Sequence, residues 1–369
     1  MKDSSKSTVL LLSGGCLAGQ NVVSSLQRQR NDIFLCALNS DPEETSLSNF
    51  DTVWLVPELR KEPGRFAKLF NRALEKLQPS LIIPCRDDDV LFLAERSEEV
   101  PELLSHALCG SSACARVMIN KNASHVFSRR HSLPFAPTID CKDDPVQIFE
   151  FAGEHGYPLV SKPAEGYASR GISFVMNERH LESHIGQSGT VLQAFLGKPE
   201  PLIQHVVDVE KHGVPLFQTF EAIKTSIQIF IQKTGIVEGT FVTENVMKQG
   251  RSEAVSTALS DDAMEIGKSC AEAFAGAGWR GPLNIQCQRN ADGKLVIYEY
   301  NGRYTGATSA RLLLGYDEVG MALRDYCPEL AFDVCDQAVT DSVSRALVSR
   351  RATPSVVEDL KEKGVWHAQ

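Results

Sequence analysis

Several features are missing from this chain of 369 residues, and each absence removes a class of function. No stretch approaches the ~18 consecutive apolar residues of a membrane-crossing helix, and the N-terminal MKDSSKSTVLLLSGG holds only a short apolar run from Thr8 to Leu12. That run is too short for the core of a signal peptide, so a cytoplasmic protein without a membrane partner is expected. The ten cysteines include no C-x-x-C pair, and several lie inside apolar strand candidates, which predicts reduced, mostly buried thiols. Basic clusters are scarce too. No Lys/Arg run exceeds a pair, and the formal net charge is −9, which argues against general nucleic-acid binding. The early glycines at 14, 15 and 19 do not fit G-x-G-x-x-G. Asn39, Ser40 and Asp41 only partly substitute for a ribose-binding acid, which disfavours a dehydrogenase.

What is present is the composition of a globular protein, 43% hydrophobic and 23% charged, at a length that suggests two or three domains. Residues 8 to 110 alternate apolar strands (Thr8–Leu12, Ile33–Leu38, Asp51–Val56, Leu81–Cys85) with helices (Gly19–Gln29, Phe66–Leu77, Val90–Ser97). This rhythm predicts a doubly wound parallel sheet. Asp87, just past the fourth strand, reads as the cap of the next helix. From Ser111 the pattern changes. Asn120 and Lys121 open a polar helix, Asp144-Pro145 starts another, and the strand Tyr157–Lys162 runs into a small-residue loop from Pro163 to Gly171. Such a loop can lay backbone N–H groups over phosphates, although it is not a Walker A loop because Lys162 precedes the glycines.

The segment GPLNIQCQRNADGKLVIYEYNGRYTGATSAR, residues 281 to 311, reads as two strands joined by a turn. Asn284, Gln286 and Gln288 share one face, Leu283, Ile285 and Cys287 the other, and Glu299 and Asn301 share a face of the second strand. An unpaired Glu299 at the end of a largely buried strand would cost several kcal/mol. Oxygen donors without paired His or Cys suit Mg²⁺, which takes one or two carboxylates and fills its octahedron with phosphate and water. Arg303 can hold a phosphate or carboxylate through two bonds. The turn Tyr304–Ala310 has N–H groups to offer an anion, and Arg311 is the substrate-carboxylate candidate, with a plain helix-surface role as its alternative.

Gln286 followed by Glu299-x-Asn301 and Gly302-Arg303 resembles the metal-binding strand pair of the ATP-grasp enzymes, and in particular the carbamoyl-phosphate synthetase type, in which the first ligand is Gln. Gly302 stands where that motif has proline, a change expected to loosen the turn. The order of Lys121, YPLVSKP with Lys162, the loop 163–171 and the Glu-x-Asn strand matches the family's order. The resemblance covers roughly residues 8 to 325. It implies a pre-ATP-grasp α/β domain over 1–118, and an ATP-grasp α+β domain over 119–330, split into a lid-containing subdomain (119–200) and a metal-binding subdomain (201–330). A C-terminal segment, 331–369, has no assigned chemistry.

What the resemblance further implies is a site. Lys121 and Lys162 would contact ATP phosphates beneath a loop containing Gly166 and Gly171. Gln204, His205, Val207 and Asp208 would lie along adenine and ribose, although His205 stands where an acid is common and Glu210 or Glu221 could serve the ribose instead. Asn284 would join the nucleotide face, Gln286, Glu299 and Asn301 would hold Mg²⁺ (with Mn²⁺ as the alternative), and Arg303, Lys162 and Arg311 would be catalytic. Lys224 lies where the family often has Glu. Glu244, Asn245, Lys248 and Arg251 read as a polar loop. The expected activity is an ADP-forming ligation of a small carboxylate and an amine through an acyl-phosphate. Rival readings are phosphorylation of bicarbonate or carbamate, and a nucleotide-binding module without turnover. The resemblance also leaves room for a homodimer.

Overall fold

The structure, a computed structural model, describes residues 6–166, 171–215, 222–248, 251–330, 332, 334–335, 337–346 and 353–368. Strands β1 (Ser7–Leu12), β2 (Ile33–Asn39), β3 (Thr52–Leu55) and β4 (Leu81–Pro84) form the parallel sheet expected of the first hundred residues. Val9 to Leu12 are all fully buried, because helices cover both faces and no side chain of β1 can reach water. The helix Pro63–Leu77 shows why. Its first turn takes a proline, Phe66, Phe70, Ala73 and Leu77 fall on one buried stripe, and Gln78 ends it in the left-handed conformation (φ 45°).

The helices Ser112–Ile119 and Lys121–Arg130 lead out of this domain. Each is opened by a side-chain cap: Ser111 accepts from the Cys114 N–H, and Asn120 from those of Asn122 and Ala123. A small four-stranded antiparallel sheet follows, made of β5 (Thr138–Asp140), β6 (Leu159–Pro163), β7 (Ser173–Val175) and β8 (Thr190–Ala194) in the order β5-β8-β6-β7. Its own core gathers Cys141, Ile148, Ala152, Leu159, Val175, Leu181 and Leu192.

The larger sheet contains β9 (Ala222–Ile231), β10 (Val237–Lys248), β11 (Arg251–Thr257), β12 (Gly281–Arg289), β13 (Leu295–Asn301) and β14 (Ser342–Ser344), ordered β13-β12-β9-β10-β11-β14 and antiparallel throughout. The stretch from Glu244 to Arg251, expected as a polar loop, is therefore mostly hairpin. Exposure alternates along it, with Glu244, Val246 and Lys248 outward and Asn245 buried, as fits a strand toward a sheet edge with one face in solvent. The helix Asp261–Gly276 packs on the sheet at Gly267, where an added Cβ would meet Thr240 at 2.9 Å and Ile227 at 3.0 Å. The chain then returns. The helix Pro354–Lys363 and β15 (Val365–His367) come back to the first domain, and β15 pairs antiparallel with β3, giving the order β15-β3-β2-β1-β4. Leu360 and Trp366 enter the core there, so the segment without assigned chemistry completes the first sheet.

No helix among the described residues is long and apolar enough to cross a membrane.

Candidate active site: a cleft between two antiparallel sheets

The floor of the cleft is set by strand register. Gln286 lies opposite Glu299 and Asn284 opposite Asn301, while on the other side Gln286 faces Ser226 and Asn284 faces Gln228. Leu283, Ile285 and Cys287 point the other way into the core, as their alternation requires. The register slips between Gln286 and Cys287, so Tyr298 has no residue opposite it. This bulge shifts the side-chain phase of β13. Ile297 stays in the core, whereas Tyr298 and Glu299 both reach the cleft, where the Tyr298 hydroxyl donates to Gln286 Oε1 at 2.8 Å.

Glu299 is half-buried and accepts no hydrogen bond from any described residue, yet Lys162, Lys224 and Arg303 are near enough for their charges to act on it. Lys162, on β6, crosses the cleft from the smaller sheet. It is 5% exposed, and its Nζ donates to Gln193 Oε1 at 2.6 Å and to the Tyr298 carbonyl at 3.5 Å. Burial pushes its pKa down to about 7, with Glu299 opposing and the charges of Lys121 and Lys224 assisting. Lys121 is also buried, its Nζ 3.4 Å from the Gly166 carbonyl, and its N–H holds the Ala164 carbonyl at 3.0 Å. The start of the glycine loop is thus tied to the helix that presents Lys121. Gly171 closes that loop at φ 72° with Pro163 against it. Tyr167, Ala168, Ser169 and Arg170 lie outside the described residues, as does the ribose candidate Glu221.

Lys224 is the residue whose role the sequence reading left open. Its Nζ sits 4.7 Å from the centre of the Tyr298 ring, which Lys162 Nζ approaches to 5.7 Å, so three ammonium groups and one carboxylate share this cleft. Burial lowers the Lys224 pKa, with Glu299 opposing. The signal was the departure itself, a cation at a position where the family often carries an acid.

Several expectations are corrected. Gln204, His205, Val207 and Asp208 lie on a helix, Glu200–His212, opened by Glu200 and Pro201 and largely exposed. Its backbone groups are taken by its own ladder and Gln204 bonds Asp208, so this segment does not offer an adenine edge. The chain crosses between the sheets earlier, at Phe195–Gly197, where Gln288 Nε2 holds the Leu196 carbonyl at 3.1 Å and Gly197 adopts φ 100°. Gln193, just before it, joins Lys162 to Thr138.

Arg311 is 1% exposed and locked to Glu318 Oε1 (2.9 Å from Nε, 2.5 Å from Nη2) and to the hydroxyls of Thr305 and Thr308, so it serves the core. Much of the turn it follows has its N–H groups taken as well: those of Thr305, Ala307, Thr308 and Ser309 go to Thr308, Thr305, Thr305 and Asn21. Asn284 gives its amide hydrogens to Ser226 and Gln228, which makes it a brace of the floor with only its oxygen left for a ligand. Gly302 has a packing role beside its place in the turn. A Cβ there would meet Met118 and Trp279 at 2.7 Å, so packing demands glycine. Arg86 occupies the N-cap position expected of Asp87, with Asp89 accepting from the Arg86 N–H; Asp87 itself turns to Arg303.

Does the floor fit a magnesium ion? Among the described residues no three His, Cys, Asp or Glu side chains gather, so a site rich in acids is absent there. The groups that do gather are one unbonded carboxylate (Glu299), one amide oxygen with a lone pair left after its bond from Tyr298 (Gln286), and the amide of Asn301, whose buried Nδ2 lacks an acceptor and suits a phosphate oxygen. A hard cation sharing its sphere with phosphate oxygens matches that set.

A small sheet bearing a buried lysine, closing over a larger sheet that carries Gln, Glu and Asn, is the ATP-grasp architecture. The chain belongs to the family described as the carbamoyl-phosphate synthase L chain, ATP binding domain, whose sequence model matches residues 120–324. No curated protein sequence matches the chain. Among solved structures it is similar to the carboxyaminoimidazole ribonucleotide synthase of Aspergillus clavatus complexed with ATP (TM-score 0.64, 15% identity, 92% of this chain and 81% of that one). The biotin carboxylase domain of the 2-oxoglutarate carboxylase of Hydrogenobacter thermophilus is comparable (TM-score 0.64, 17% identity, 92% and 74%). So is the L-amino acid ligase of Bacillus licheniformis (TM-score 0.62, 13% identity, 88% and 75%). At these identities the likeness is one of fold.

Proposed function

We propose that the chain is an ADP-forming, ATP-dependent ligase that activates a small carboxylate as an acyl-phosphate and joins it to an amine. The observation that carries this reading is the convergence of Lys162 and Lys224 on the one half-buried carboxylate, Glu299, with Lys121 close enough to Lys162 for its charge to act there. A pocket with that surplus of ammonium groups suits a polyphosphate. Lys162, already bonded to Gln193 and the Tyr298 carbonyl, cannot swing far. It would hold a phosphate oxygen in a fixed place, where it opposes negative charge as the phosphoryl group transfers. Lys121 and the loop carrying Gly166 and Gly171 would cover the phosphates and exclude water. Magnesium, held by Glu299, Gln286 and Asn301, would neutralise phosphoryl oxygens; Mn²⁺ satisfies the same donors. Arg303 would meet the anionic substrate with the N–H groups that its bonds to Asp87 and to the Tyr304 carbonyl leave free.

The test is to follow ADP and phosphate in mixtures of protein, ATP, Mg²⁺ and pooled amino acids or other small carboxylates with amines. Release that requires both a carboxylate and an amine is expected; no turnover in any pool counts against the reading. Gln286 favours a second reading, phosphorylation of bicarbonate. ATP hydrolysis stimulated by bicarbonate with no amine present would select it.

A further inference from the structure

β1 and β4 are parallel neighbours, with Leu12 opposite Pro84, so the residues that follow each emerge side by side at the carboxyl edge of the first sheet. From β1 the chain makes a glycine turn to Cys16, the residue before the helix Leu17–Ser25. From β4 the next residue is Cys85. Cys16 Sγ donates to the Cys85 carbonyl at 3.5 Å and Cys85 Sγ to the Ile83 carbonyl at 3.8 Å, and each thiol acts on the proton affinity of the other. Their environments differ. Cys16 is half-buried, whereas Cys85 is 2% exposed inside the core. The positive charges of Arg86 and Arg303 act around the pair, with the Asp89 carboxylate opposing. Of the other eight thiols, seven are buried, and Cys335 is half-exposed.

We propose that Cys16 and Cys85 form a dithiol modification site, in which Cys16 attacks peroxides and Cys85 resolves the product as a reversible disulfide. The chemistry balances with the peroxide as the sole oxidant. The Cys16 thiolate attacks one peroxide oxygen and breaks the O–O bond. Cys16 becomes a sulfenic acid, and the departing oxygen leaves as hydroxide or alkoxide and takes up a proton. The Cys85 sulfur then attacks Cys16 Sγ. The S–O bond breaks, the leaving hydroxide takes the Cys85 thiol proton, and one disulfide and one water result. Two thiols are oxidised and one peroxide is reduced. The asymmetry of the pair assigns the order of events: only Cys16 is reachable from solvent, and only Cys85 is poised to respond. The Cys16 pKa is drawn down to about 7, first by the hydrogen bond with Cys85 and then by the Gly19 N–H and the Arg86 charge, against the effect of burial. Burial pushes the Cys85 thiol up instead, so Cys85 stays protonated and does not compete for the peroxide. Cys85 stands two residues before Asp87, which holds Arg303, so the modification reaches the edge of the cleft.

The full-length reduced protein tests this without reference to ligase activity. With limiting iodoacetamide at neutral pH, Cys16 should alkylate about tenfold faster than Cys335, the other thiol of comparable exposure. One equivalent of hydrogen peroxide should then give a Cys16–Cys85 cross-linked peptide that dithiothreitol reverses. In Cys85→Ser, and in Cys85→Ala should the serine variant fold poorly, dimedone should trap the sulfenic acid on Cys16 and no cross-link should form. Equal labelling of Cys16 and Cys335, sulfinic acid on Cys16 without a cross-link in the wild-type chain, or unchanged products in both Cys85 variants would each overturn the proposal.

Discussion

Arg303, two residues past the expected metal ligand Asn301, is held by Asp87 of the first domain: Nε donates to Oδ1 at 2.7 Å and Nη2 to Oδ2 at 3.2 Å. The two residues are 216 positions apart, and their side chains are each about 15% exposed. The pair ties the end of β13 to the crevice of the parallel sheet, so the first domain sets where the guanidinium points. A charged hydrogen-bonded pair of this kind is worth about 1.5–3 kcal/mol. Asp87→Ala should therefore lower the melting temperature and, by releasing Arg303, reduce kcat/KM by about 10–100-fold. Asp87→Asn keeps hydrogen-bonding capacity and should lose less of both. Thermal melts and steady-state kinetics on the two variants check the order; equal effects would show that the pair does not position Arg303.

Lys162 gives a pH signature in the nucleotide-free protein. Its folded pKa of about 7 lies below the ~10.4 of an unfolded chain. Between those values the unfolded chain keeps a proton that the folded chain has released, so stability rises with pH across the window; the penalty is full below about 7. Lys162→Met should be more stable than wild type at pH 7 and should lose that part of the rise between pH 7 and 10, while binding nucleotide poorly. Urea unfolding at several pH values measures both slopes.

Lys224 should contribute to anion binding from a position where the family often has Glu. Lys224→Met is expected to weaken ADP binding about tenfold, or about 1.4 kcal/mol, with a larger loss in EDTA than with Mg²⁺, because no metal then shares the phosphate charge. Calorimetric titration under both conditions decides. Unchanged affinity in both would remove Lys224 from the site.

Arg311 and Glu318 should behave as a structural pair. Arg311→Met alone strands a buried carboxylate and should cost about 3–5 kcal/mol, whereas Arg311→Met combined with Glu318→Met should recover much of it. The folded fraction should keep its KM for the carboxylate. A specific rise in KM would return Arg311 to the substrate.

The parallel sheet and the Gln286, Glu299 and Asn301 constellation were legible because their signals are local. Apolar strands alternate with helices, and period-2 alternation fixes which side chains share a face. The adenine segment was placed from the order of segments in the family and not from its own pattern; the proline in the first turn of PLIQHVVD and its exposed polar stripe suit the helix that forms. Arg311 carried no local sign of its partner, since burial against Glu318 depends on how two later helices pack. Pairing at long range is hidden for the same reason. The three residues of β15 gain their identity only from β3, more than 300 positions earlier, where Thr52 Oγ1 donates to the Trp366 carbonyl at 2.9 Å. The bulge at Tyr298 was equally silent, although it brings that ring between two lysines.

The most direct measurement is a double-mutant cycle on MgADP affinity, using Lys162→Met, Glu299→Gln and the two combined. If the lysine of the smaller sheet and the carboxylate of the larger one serve the same nucleotide, each single change weakens binding and the pair departs from additivity by more than about 0.5 kcal/mol. Strictly additive losses, or an affinity that neither substitution alters, would contradict the account.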